Sequence, residues 1–332
     1  MVLGRHLCYT TAITFSIKYM HEPTYRQAFK EAWCLTWHNK LLWILGLLSV
    51  LVGQLGINNF IGQLTVSNSP ALQLILGIVR SVAHGTYSVT VWSVWLLVIV
   101  VVLGAALVLV TVAAQGALIG AVTAWYRHKK LDITAAWHKG VRHFWRLLLL
   151  NVVEKIVLAG LFFSIAYIGA GLNLDGYTSD MALFILSLAA ALFVAFVVTT
   201  VSVYAAGYIV EEELPWLQAL ARAWQLFHDH LLVSLELSLL LLLSALGIVL
   251  LVLMVSVWVL VPSVLFTVAA GFTGILALIG VGVVVTNIVF ILFVVFVGAI
   301  YNTFVTSAWM YLFMKMHHEG VGSRILGWFK RS

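Results

Sequence analysis

The chain has 332 residues, of which 63% are hydrophobic and only 9% charged, with a formal net charge of +6 and a mean hydropathy of +1.09. A soluble domain is about 45–50% apolar and about 25% charged, so a water-soluble globular fold is excluded and lipid must solvate much of the surface. The basic excess does not point to nucleic acid: Lys and Arg sit in short stretches beside apolar runs, where they report topology and meet anionic headgroups.

Residues 1–23 read as a cytoplasmic tail. They are a poor signal peptide, because Thr10, Thr11, Thr14, Ser16 and Lys18 interrupt the apolar run that such a segment needs. Met20, just ahead of the first clear helix signal, is an alternative start. Cys8 and Cys34 are expected to be separate thiols on the reducing side, since two cysteines make no disulfide framework.

Residues 24–126 form the first of three units, each an interfacial amphipathic helix followed by a transmembrane hairpin. Thr24-x-x-Gln27 reads as a capping box for the first amphipathic helix. A span near Leu41–Ile57 follows. Pro70 then opens a short apolar piece, with Arg80 and His84, expected at the outer interface. The second span runs from about Val89 to Trp125 without a turn signal. At about 37 residues it would be roughly 55 Å long against a hydrocarbon core of roughly 30 Å, so it tilts or projects. Gly116-x-x-x-Gly120 within it is a small-residue contact motif, better suited to packing inside the chain than to dimerisation.

Residues 127–210 form the second unit. Asp132 is placed as an N-cap, and Ile133, Ala136, Trp137, Gly140, Val141, Phe144 and Trp145 recur on one helical face. Spans at Leu147–Leu172 and Met181–Val210 follow.

Residues 211–316 form the third unit. The carboxylates Glu211-Glu212-Glu213 precede Pro215, which suits the first turn of another amphipathic helix. A fifth span runs from Leu231 to about Val261, where Pro262 is expected to interrupt it. Ser263–Gly282 then reads as a re-entrant or interfacial piece, ahead of a last span at Val283–Met314. Residues 317–332 are a basic cytoplasmic tail.

The architecture expected is thus all-α, a polytopic bundle of about six spans. The internal repeat is direct: Gln27-Ala28-x-x-x-Ala32-Trp33 aligns without gaps on Gln218-Ala219-x-x-x-Ala223-Trp224. All of the 18 Lys and Arg except Arg80 and Lys155 fall on one side, which the positive-inside bias makes cytoplasmic. Both termini are then inside, in a cytoplasmic (inner) membrane.

Trp33, Trp37, Trp137, Trp145 and Trp224 are expected as interfacial anchors, with neighbouring cations facing water or anionic inner-leaflet lipid. Packing of the same helices on the bundle ends is the alternative, and the two are compatible.

Gln115-Gly116-Ala117-Leu118-Ile119, Ala136-x-x-x-Gly140-x-x-x-Phe144-Trp145, Glu212-Glu213-Leu214 and Ala219-Leu220-x-Arg222-Ala223-Trp224 resemble a broad group of uncharacterised bacterial polytopic proteins. That group is distantly similar to the membrane domain that precedes the catalytic domain in some bacterial glycerophosphodiester phosphodiesterases. The catalytic domain itself has no counterpart here, so the resemblance implies a membrane bundle without an assigned role.

Ionisable groups inside spans are functional candidates by position: Glu154, Lys155 and Glu236, with Asn151, Ser234 and Ser238 able to complete a polar cluster. A structural Lys155–Glu236 pair, or snorkelling to the interface, is the plainer reading. His228-Asp229-His230 has poor metal spacing, since residues two apart do not share a helix face. No phosphate loop, HExxH, GxSxG or cysteine metal pattern occurs, so neither a cofactor nor a metal is expected. These features favour a non-enzymatic scaffold or accessory factor in membrane or envelope organisation. A transporter or channel for a small or amphipathic substrate is the alternative. Self-association and membrane-protein partners stay open.

Overall fold

The computed structural model describes residues 24–50, 91–127, 129, 132–170, 178–273 and 277–319. The tail before residue 24, the piece after Pro70, Cys8 and the basic end after Glu319 lie outside these residues. Every element described is helical: α1 (Thr24–His38), α2 (Leu41–Val50), α3 (Val91–Tyr126), α4 (Ile133–Arg142), α5 (Phe144–Ala170), α6 (Thr178–Glu211), α7 (Trp216–Asp229), α8 (Leu231–Thr273) and α9 (Ala277–Glu319). Five stretches are long and apolar enough to cross a bilayer: Val101–Tyr126, Phe144–Gly169, Met181–Glu211, Leu231–Thr273 and Gly280–His318. The span expected from Leu41 is described only as the ten residues of α2.

Hydrocarbon offers no hydrogen bonds, so polar side chains within these helices bond back to their own backbone. Thr200 donates to the Phe196 carbonyl at 2.9 Å, Ser256 to Leu253 at 2.6 Å and Asn287 Nδ2 to Val283 at 2.8 Å. Among the described residues Thr286 Oγ1 is a buried atom without such a partner.

Two expectations about the third unit need correction. Pro262 does not interrupt the fifth span but lies inside the 43-residue α8. Ser263–Gly282 is accordingly no separate element, since residues to Thr273 continue α8 and residues from Ala277 begin α9. A proline inside a helix leaves the carbonyl four residues back, here that of Trp258, without its amide donor. Ending the helix in lipid would orphan a whole turn of such groups, so continuation is the cheaper solution.

The chain divides into two compact units. One comprises Met1–Lys40, Gly116–Trp258 and Phe304–Ser332; the other comprises Leu41–Gln115 and Val259–Thr303. Within the second unit, α2 meets α9 very closely. Asn302 Nδ2 donates to the Gly46 carbonyl at 3.2 Å and Thr303 Oγ1 to the Leu42 carbonyl at 3.2 Å. A Cβ on Gly46 would collide with the Thr303 hydroxyl and lie 2.5 Å from the Ala299 carbonyl oxygen.

The first unit holds the three short helices α1, α4 and α7. Each buries a small residue and a second one four positions on, that is, one face: Ala28 and Ala32, Ala136 and Gly140, Ala219 and Ala223. Small residues let the backbones approach. A Cβ on Gly116 of α3 would sit 2.9 Å from the Gly140 Cα and 2.7 Å from Leu147 Cδ1, and one on Gly120 would touch Lys139. The Gly116-x-x-x-Gly120 motif therefore seats α4 within the chain. Asp132 caps α4 as expected, accepting from the Thr134 amide at 2.9 Å and the Ala135 amide at 3.4 Å. Pro215 is the N-cap of α7, one position ahead of its first turn.

Candidate functional site

Two polar places stand out in the first unit. The larger gathers on Glu211-Glu212-Glu213, where α6 ends. Glu211, nearly buried, takes Arg127 Nη2 at 2.5 Å on one carboxylate oxygen and Lys139 Nζ at 2.9 Å on the other. Glu212 takes Arg222 Nη1 at 2.9 Å and His317 Nε2 at 2.7 Å. Glu213 pairs with Arg142 at 3.1 Å, and its backbone carbonyl accepts from Arg146 Nη1 at 2.5 Å. Glu213 also holds a φ of 57°, the left-handed conformation that ends a helix and that glycine adopts without strain. The segments after α3, in α4 and α7, and at the end of α9 are thereby tied to one turn.

Sequence reading missed this cluster. It assigned the carboxylates to the start of α7 and the cations to water or phosphate. The available signal was charge opposition, three adjacent acids in a chain whose neighbouring connections are all basic.

The second place is a groove of about 510 Å³ between α5, α6 and α7. Val153 and Val157 of α5, Val197 and Val201 of α6, and Leu217 and Leu220 of α7 wall it. Its polar members are Glu154 and Ser202, both buried, and Trp224 stands exposed at its edge.

Of the residues expected to form an intramembrane cluster, Glu154 and Lys155 stay together, with Lys155 Nζ 3.6 Å from the carboxylate. Asn151 donates its amide to the Leu147 carbonyl at 2.9 Å. Glu236 is half-buried on α8 and does not line the groove. Ser234 hydrogen-bonds the Tyr204 hydroxyl at 2.8 Å within the core, and Ser238 bonds the Leu235 carbonyl at 2.8 Å. The helix register thus distributes these polar groups over several places.

Of the expected anchors, Trp33, Trp37, Trp145 and Trp224 are exposed and Trp137 is half-buried. Trp33 packs edge-on to Phe304, and Trp33 and Trp37 lie ring to ring at 5.6 Å. The Gln27 side-chain carbonyl accepts from Lys315 Nζ, joining α1 to the end of α9. His228 and Asp229 are both exposed. Among the described residues no three His, Cys, Asp or Glu are grouped to hold a metal.

No protein-family model matches the chain, and no curated protein or solved structure matches it. The fold defines a class by itself, a multi-pass membrane protein whose described elements are all helices.

Proposed function

We propose that this protein works without catalysis, as a scaffold or accessory factor in the organisation of a cytoplasmic membrane. In this reading it spans the bilayer six times, as three units of interfacial helix plus hairpin, with both termini inside. The kinship to bacterial polytopic proteins and to the phosphodiesterase membrane domain belongs to the same proposal.

One observation carries it. The three short helices share a device: two small residues are buried, and the tryptophan that follows one of them, Trp33, Trp137 or Trp224, is left exposed or half-buried. All three belong to one compact unit. An exposed indole suits headgroup depth, where its apolar body and N–H are both satisfied. Such a face can hold lipid or another membrane protein without any reacting group.

Cysteine-accessibility labelling tests the topology. Single cysteines replacing Lys129 and Lys330 should react only from the cytoplasmic side, and labelling of either from outside ends the six-span reading. The function is tested by complementing a deletion strain with a Glu154→Gln, Glu236→Gln double variant. A scaffold keeps its activity in that variant, whereas a proton-coupled carrier loses it.

The transporter reading is favoured by one specific feature, the buried carboxylate of Glu154 in its groove. Against it, the groove is walled almost entirely by aliphatic side chains and does not reach Glu236.

A further inference from the structure

We infer that the groove at Glu154 is a binding site for a membrane-dissolved lipophilic cation, a molecule carrying one quaternary onium charge on an apolar body. This goes beyond the scaffold reading, and it holds whether or not the protein also moves that ligand.

The carboxylate comes first. Glu154 is 8% exposed, yet it lines the groove. Among the described residues the one cation beside it is Lys155, at 3.6 Å. Adjacent residues on a helix do not face the same way, and Lys155 does not line the groove. The ammonium therefore approaches from another side. A carboxylate has about four lone-pair sites, so one contact at that distance leaves much of its acceptor capacity on the groove side. A buried carboxylate so thinly partnered is best accommodated when a second cation completes its surroundings.

The walls select for the rest of the molecule. Val153, Val157, Val197 and Leu220 offer hydrocarbon, and the volume of about 510 Å³ falls within the roughly 300–1,000 Å³ range of small-molecule sites. Trp224, at the edge, presents the aromatic surface that onium groups favour. An anion would meet a carboxyl group and no cation along the groove, and a neutral hydrocarbon would leave the carboxyl group unmatched. A ligand of this kind partitions into the bilayer and reaches the groove from there.

The test uses the full-length protein in phosphatidylcholine nanodiscs and tritiated tetraphenylphosphonium, followed by equilibrium dialysis. Saturable binding is expected, weakened about tenfold or more in Glu154→Gln and unchanged in the exposed control Asp229→Asn. Val157→Trp, which fills the groove and leaves the carboxylate in place, should also lose binding. Helicity and monodispersity of each variant show that it is folded. Absence of saturable binding to the parent protein overturns the proposal, as does equal affinity in folded Glu154→Gln. Loss of binding when phosphatidylethanolamine replaces phosphatidylcholine also overturns it, because the groove would then belong to a lipid headgroup. None of these readouts depends on which side of the membrane the helices face, so failure here leaves the topology untouched.

Discussion

The side chain of Glu211 is 6% exposed and holds two cations, whereas the Arg142–Glu213 pair leaves 70% and 48% of its side chains in solvent. Removing one partner of a buried pair strands the other charges, while an exposed pair contributes about 0–1 kcal/mol. Glu211→Gln should therefore lower stability by about 2–3 kcal/mol in detergent, and Arg142→Ala by less than about 1 kcal/mol. Equal losses on thermal unfolding would refute the distinction. Glu213 adds a backbone effect. Its left-handed φ costs a non-glycine residue about 1 kcal/mol, so Glu213→Gly should leave the protein as stable or more so, despite losing the Arg142 pair. Glu213→Val, with a β-branched side chain at the same φ, should be clearly destabilising; both are read from the unfolding midpoint. The acids were legible as residues, but their partners were not, because Lys139 and Arg127 reach Glu211 across more than seventy positions of chain.

At the scale of elements, α4 depends on the absence of side chains where it crosses α3. Gly116→Val would push into the Gly140 backbone, which cannot move aside as a flexible side chain could. Overpacking of this kind costs about 1–3 kcal/mol. Gly104→Val, on the same helix with open space around its Cα, should be close to neutral. The ratio of folded to aggregated protein after mild heating would separate the two variants. In the second unit Gly46→Ala faces the same obstacle at Ala299 and Thr303. The short helices also share a joint. His143 and His230 each break the helical run for a single residue, with ψ near 10° and 31°, while backbone hydrogen bonds continue on both sides. The redirection is made by one residue's dihedrals, which periodicity in the sequence does not record. The seating of the helices was easier to read. Small residues four apart beside a tryptophan recur in the sequence, and those are the positions buried in α1 and α7.

For the molecule as a whole, composition decides the solvent and helix length decides how the chain meets it. The 43-residue α8 and α9 would each extend about 64 Å, about twice a hydrocarbon core of roughly 30 Å. Helices of that length must tilt strongly or project beyond the lipid. Oriented circular dichroism or solid-state NMR in aligned bilayers would detect either, and a bundle wholly contained in the core with upright helices would contradict the lengths seen.

By themselves the residues determined an all-helical chain in lipid, the places where most helices start and stop, and which side chains sit at seating positions. These follow from local quantities: hydrophobicity, periodicity, caps and the lack of backbone partners in hydrocarbon. Only the tertiary structure decided that α8 runs through Pro262, that the basic connections close onto Glu211, Glu212 and Glu213, and that Glu154 opens into an apolar groove while Glu236 lies elsewhere. The first follows from the absence of backbone partners in hydrocarbon, which outweighs the hydrogen bond lost at the proline. The other two depend on which helix stands beside which, and that neighbourhood is set by packing between segments far apart in the chain.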